Sequence, residues 1–254
     1  MKSIAMLPVL LAVLVAAGRA EADAAATPPH ARPLVVLDAG HGGSNTGATG
    51  TLGGVFEKQV TLAVAQLVRD RLTAQGIDVV MTRDRDATLT LRQRVALANQ
   101  RAADVFVSIH ANASPERVQR GFETFVLTAA GVDVDGRALR SETGTPRDAV
   151  DGETALVLDD LERGAAQWEA ADLAAAMQRE LRAVRGAAGD RGVRQDAHHV
   201  LLGATMPAVL VEIGFIDHPQ EGRELVEPAT QIAIADALAR AIAAACAAAV
   251  APPA

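Results

Sequence analysis

The sequence predicts an α/β fold: a single three-layer domain with helices on both faces of its sheet. Short apolar runs alternate with longer amphipathic stretches, several of the runs are continuous rather than alternating, and each amphipathic stretch carries one apolar stripe. In chain order the strand candidates are Leu34 to Leu37, Ile77 to Met81, Val105 to Ile109, Phe122 to Leu127, Val200 to Leu202 and Ala208 to Ile213. Continuous aliphatic runs of this kind suit strands that are covered on both faces. The helices are read from Val60, Val64, Leu67, Val68 and Leu72; from Leu91, Val95 and Ala98; from Leu173, Met177, Leu181 and Val184; and from Ile234, Leu238, Ile242 and Ala245. Each set recurs at three- and four-residue steps and so buries one stripe.

The region before the first strand has the layout of a secretory signal: Lys2, an apolar run from Met6 to Ala17, then small residues through Ala26. A bilayer-spanning helix needs about 20 apolar residues, so this run predicts export rather than stable membrane insertion. Residues 1–24 are therefore read as a signal peptide, 25–33 as a Pro- and Ala-rich linker, and 34–250 as the folded domain, working in the periplasm or outside the cell. The 254 residues contain one cysteine, Cys246, so no disulfide framework exists and the thiol is expected to pack as a small apolar group. A formal net charge of −7 with 2% aromatic residues argues against a nucleic-acid partner, which calls for a basic footprint and stacking platforms.

Four residues carry the chemistry. His41 follows the first strand in a glycine-rich loop, His110 follows Ile109, Glu212 closes the run Ala208 to Val211, and Glu57 opens a helix. In open α/β sheets ligands bind in the crevice outside strand ends. Two imidazoles and a carboxylate there suit one zinc ion with a position left for water, and a second carboxylate can handle protons. Taken singly, each residue has an ordinary reading. Glu57 would complement a helix dipole, His110 would be a structural histidine, and Glu212 would pair with an arginine such as Arg83, Arg94 or Arg194. A phosphate loop at Gly40 to Gly43 is excluded, because no Gly-Lys-Ser/Thr follows and the dinucleotide spacing is absent.

The ordered stretches Val36 to Gly43, Glu57-Lys58, Thr82-Arg83, Ser108 to Ala113, Gly121 to Glu123, Arg191 to Gln195 and Pro207 to Phe215 resemble the zinc-dependent N-acetylmuramoyl-L-alanine amidases, specifically the amidase type 3 catalytic domain. The resemblance implies a mixed, mostly parallel sheet of about six strands and one Zn²⁺ on His41, Glu57 and His110, with Glu212 as general base and acid. The implied reaction is hydrolysis of the peptidoglycan amide between N-acetylmuramic acid and L-alanine, releasing stem peptides during wall remodelling or turnover. A monomer acting on peptidoglycan or muropeptides is expected. Asn45 departs from the family, which often has an acidic residue there, and is expected to weaken a contact behind His41.

Arg83 is a candidate for guiding an anionic stem peptide, since a guanidinium matches a carboxylate with two hydrogen bonds; an ion pair with Asp84 or Asp86 competes with that reading. Asn112 is a candidate to touch substrate or position its loop. His199 is a weaker candidate for lining the cleft, while His30 and His218 fall in the linker and a turn. The stretch from Gly131 to Asp160 reads as a surface loop. Some relatives carry there a helix that blocks the zinc until an activator protein moves it; with no amphipathic helix legible here, constitutive activity is expected and an activator remains open. The competing functions are a catalytically inactive peptidoglycan-binding or regulatory domain, a zinc peptidase cutting within the stem peptide, and a paired-carboxylate glycosidase. The intact set of four residues argues against the first, and a glycosidase has no use for two histidines.

Overall fold

The computed structural model describes residues 31–127, 152–196 and 200–250. Six strands form one sheet: β1 (Leu34–Ala39), β2 (Asp78–Met81), β3 (Val105–Asn112), β4 (Phe122–Leu127), β5 (Asp190–Asp196) and β6 (Ala208–Phe215). Their spatial order is β2-β1-β3-β6-β4-β5. β2, β1, β3 and β6 run parallel, whereas β4 pairs antiparallel with β6 and β5 follows β4 in parallel. The sheet is thus mixed and mostly parallel, as expected. Its reversal at β6/β4 brings the start of β4 and β5 to the end of the sheet where β1, β3 and β6 finish.

The helices are α1 (Glu57–Ala74), α2 (Leu91–Gln100), α3 (Gly152–Arg185), the single turn α4 (Glu221–Glu224) and α5 (Pro228–Val250). On one face α1, α3 and α5 pack Val64, Val68, Leu72, Leu173, Met177, Leu181, Leu238 and Ile242 against Val35, Leu37, Val107, Ile109, Val209 and Val211. The other face buries Leu34, Val36, Phe106 and Leu210 beneath Ala98 of α2 and the turn carrying Val200, Leu201 and Met206. Strand side chains alternate between faces, so Asp38, Ser108, His110 and Glu212 continue the rows of Val36, Phe106 and Leu210 towards the finishing ends. α2 starts at a capping box: Thr90 Oγ1 accepts from the Gln93 backbone N–H, and the Thr90 N–H donates to Gln93 Oε1. α5 has the length and composition to span a bilayer; here Ile234, Leu238, Ile242 and Cys246 are buried in the core. Burial pushes the Cys246 thiol up to about 11.

Two expectations are corrected. Val200 to Leu202 is a turn, not a strand. Val200 and Leu201 bury against Phe106 and Leu210 without joining the sheet, and the edge position goes to β5, whose polar sequence DRGVRQD is largely exposed. A charged, exposed strand suits an edge, where it discourages pairing with other chains. The helix read from Leu173 begins at Gly152, so 152–160 is helical rather than loop. Its first half is rich in Ala, Leu and Glu, which favour helix by propensity, and further along Ala170, Leu173, Ala174 and Met177 meet the core. The remainder of the stretch from 131 lies outside the described residues. Constitutive activity rested on the absence of a helix there and loses that support.

Candidate active site

His41 leaves β1 in the left-handed region, at φ 60°, a conformation that costs energy for a residue with a Cβ. Two buried arginines hold it there. Arg83 Nε donates to the Ala39 carbonyl at 2.8 Å, and its Nη2 donates to the carbonyls of Gly40 and Lys58, each at 2.8 Å. Arg94 Nη1 donates to the Ala39 carbonyl at 2.8 Å and Nη2 to the His41 carbonyl at 2.7 Å. Arg94 is charge-balanced by fully buried Asp38, 2.5 Å away, which also accepts from the hydroxyls of Thr82 and Ser108. The neighbouring Gly40 has no room for a side chain: a Cβ would sit 2.5 Å from His110 Cε1.

Arg83 is accordingly not a substrate guide. Only 3% exposed, it spends its donors on the backbone carbonyls of Ala39, Gly40, Lys58 and Arg85, in neither of the roles expected for it. Asn112 also turns inward: Nδ2 donates to Glu123 Oε1 and Oδ1 accepts from the Ala113 N–H. Its role is to tie the end of β3 to β4. His218 accepts two turn N–H groups at Nδ1, as befits a turn residue, and His199 lies outside the described residues.

Glu57 bridges the two histidines. Its Oε2 lies 3.0 Å from His41 Nε2 and its Oε1 2.9 Å from His110 Nδ1. The imidazoles meet edge to face with centroids 5.0 Å apart, and the three candidate ligand atoms lie within 4.8 Å of one another. Backbone N–H groups of Ala48 and Ala111 steady the carboxylate at 2.9 and 3.1 Å. Burial alone would raise the Glu57 pKa, but the hydrogen bonds from His110 and His41 outweigh it and hold the carboxyl far below its ordinary value. For His41, burial acts to lower the pKa, and the hydrogen bond and charge of Glu57 overcome it to give a net rise.

The donor set fits a metal ion on chemical grounds. Asn45 Oδ1 accepts from the Gly47 N–H and faces His41 Nδ1 at 2.9 Å. An amide oxygen can only accept, so Nδ1 carries the hydrogen and the Nε2 lone pair points at an anionic oxygen of Glu57. Two acceptors at 3.0 Å need a cation between them, either a proton or a metal. The expected weakening at Asn45 is therefore a matter of charge alone, since the contact itself is present.

Glu212 stands beside these groups by strand register. His110 on β3 is its Cα partner on one side and Glu123 on β4 its partner on the other. The arginines that might have neutralised it are engaged elsewhere: Arg83 with carbonyls, Arg94 with Asp38, and Arg194 with Glu123. Glu212 Oε2 is buried and has no hydrogen-bond partner among the described residues. Burial, followed by the charges of Glu57 and Glu123, raises its pKa well above the ordinary value. A proton acceptor tuned upward beside a candidate metal cluster is the arrangement that general-base catalysis at neutral pH requires. Sequence reasoning missed Asp38 and Glu123 as members of this site. Their signal was a carboxylate in an otherwise apolar strand, which is costly to bury without a purpose.

Comparison with known proteins agrees with this geometry. The chain is 36% identical over 214 residues to N-acetylmuramoyl-L-alanine amidase AmiA of Escherichia coli, covering 81% of this chain and 73% of AmiA. It is 33% identical to N-acetylmuramoyl-L-alanine amidase AmiC of Neisseria meningitidis, covering 82% of this chain and 51% of AmiC. Among solved structures, the catalytic domain of the amidase CwlV from Bacillus (Paenibacillus) polymyxa superposes with a TM-score of 0.63 at 30% identity, covering 84% of this chain and 97% of that one. The amidase AmiC2 of Nostoc punctiforme gives a TM-score of 0.63 at 29% identity, covering 84% and 96%. Residues 35–244 match the family model described as N-acetylmuramoyl-L-alanine amidase, and the chain belongs to that family.

Proposed function

We propose that this protein hydrolyses the amide between N-acetylmuramic acid and the L-alanine of the peptidoglycan stem peptide, using one zinc ion held by His41, Glu57 and His110 with Glu212 as general base and acid. The observation that carries the reading is the Glu57 carboxylate clasped between two imidazoles, 3.0 and 2.9 Å away, with Glu212 one strand from His110. Family membership supplies the substrate class, since the matched relatives bear the amidase name. Zinc bound there would supply Lewis acidity towards the scissile carbonyl and make water more acidic.

The chain's own groups do the rest. Asn45 and the Arg94-held backbone orient His41, and the Ala48 and Ala111 N–H groups orient Glu57. Glu212 takes a proton from the attacking water at its carboxylate and returns it to the leaving amine of L-alanine. Its partnerless oxygen leaves it available for both transfers. The protein is proposed to be exported by a signal in residues 1–24, with a linker in 25–33, and to act as a monomer on the wall or its fragments in the periplasm or outside the cell.

The test is mass spectrometry of the soluble products from purified peptidoglycan, with and without a chelator. Free stem peptides beginning with L-alanine, lost on chelation and restored by zinc, are the expected result. Shortened peptides still joined to muramic acid would make the protein a peptidase, cleaved sugars a glycosidase, and binding without products a wall-binding domain.

A further inference from the structure

The row of side chains that contains His110 and Glu212 continues across the sheet. Glu123 is the Cα partner of Glu212, and opposite Glu123 the β4/β5 register slips: Phe122 faces Asp190, but Thr124 faces Val193. Arg191 and Gly192 therefore share the place of one residue, with Gly192 at φ 82°. Such a bulge re-aims side chains and is over-represented beside active sites. Its effect here is to turn two arginines to the same face of the sheet. Arg191 Nε and Arg194 Nε both reach Glu123 Oε2, at 3.1 and 2.6 Å.

These two arginines differ from the buried pair beneath His41. Arg191 lies over the Phe215 ring at 5.0 Å and is 28% exposed, and Arg194 is 48% exposed. Arg191 Nη1 also donates to Gln119 Oε1 at 3.0 Å, and the exposed parts of both side chains leave guanidinium surface open to solvent beside Glu123. β5 lies two strands from the strand of Glu212, a separation of about 10 Å at the usual strand spacing. An extended peptide covers about 3.4 Å per residue, so the second or third residue beyond the scissile amide would lie over this rim.

We infer that Arg191 and Arg194 form a carboxylate-binding subsite that selects peptides carrying a free carboxylate on the second or third residue past the cleaved bond. The peptide limb would then run from Glu212 over β4 towards β5, and the sugar limb to the opposite side. The inference rests on the amidase reading and adds the direction in which substrate lies. Planar guanidinium forks bind carboxylates through two charge-assisted hydrogen bonds, and amidation of the carboxylate removes that match.

The experiment compares a muramyl tetrapeptide whose second residue bears a free carboxylate with the same compound amidated there, using the zinc-loaded protein and its Arg194→Gln variant. The wild type is expected to cleave the free carboxylate with a kcat/KM about tenfold higher, and the variant to treat the two compounds alike. Equal kcat/KM values in the wild type, or an equal loss on both compounds in the variant, would overturn the inference and leave the arginines as supports for Glu123. Calorimetric binding of both compounds reads the preference without turnover. If neither compound is cleaved, the amidase reading fails, and the binding preference still decides the subsite.

Discussion

Replacing Asp38 with Asn tests whether the pair beneath the His41 loop is structural, functional or both. Asp38 is fully buried and accepts from Arg94, Thr82 and Ser108, while Arg94 is 2% exposed and reaches the Ala39 and His41 carbonyls. Asn keeps the shape but removes the negative charge, so the guanidinium is left buried without compensation. Breaking a buried pair in this way costs about 3–5 kcal/mol. At about 2–4 °C per kcal/mol for a domain of this size, the metal-free protein should melt roughly 6–20 °C lower. Because the same guanidinium holds the carbonyl of strained His41, zinc affinity should fall about 10–100-fold, the range found when groups behind a ligand are removed. Calorimetry of the metal-free protein and competition with a chromophoric chelator measure the two effects. A melting shift below about 2 °C together with unchanged zinc affinity would refute the reasoning. Adding Arg94→Met should recover part of the stability, since apolar replacement of a buried pair is often tolerated, but not the zinc affinity, because the His41 carbonyl has lost its donor.

Glu212→Gln should lower kcat by about 10²–10⁴-fold with zinc affinity retained; normal turnover would remove Glu212 from the mechanism. The same variant predicts a pH effect in metal-free protein. With the folded pKa of Glu212 raised, its contribution is fully present below the unfolded carboxyl pKa and is lost as pH rises towards the folded value. The wild type should therefore lose stability relative to Glu212→Gln across that window, and parallel melting curves against pH would contradict the assignment. Gly40→Ala places a Cβ 2.5 Å from His110 Cε1. It should displace the imidazole and abolish zinc binding, and a variant that still titrates one zinc would show that the loop can give.

The sheet candidates that proved right, such as β1, β3 and β6, share a continuous apolar run that needs covering on both faces. β5 has no such run. Its seven residues include two Asp and two Arg, and only pairing with β4 makes it a strand. Conversely, Val200 and Leu201 look like a strand because they are buried, but burial needs only an apolar neighbour, not a hydrogen-bonded one. The start of α3 at Gly152 was hidden for the same reason, as helix propensity by itself leaves no period to read.

The sequence by itself determined the fold class, the four residues at the candidate centre and the family to which the chain belongs. Each of these is written locally: an apolar run, the polar residue that ends it, and the order of short motifs. Only the tertiary structure decided what lies beside what. Arg83 and Arg94 are indistinguishable in sequence from arginines at a cleft, yet both are buried under the His41 loop, while Arg191 and Arg194 reach the rim through a bulge on an edge strand. The pairing of Glu212 with His110 and Glu123 depends on strands about a hundred residues apart in the chain choosing one register. That choice is made by the packing of whole layers, and no local pattern encodes it.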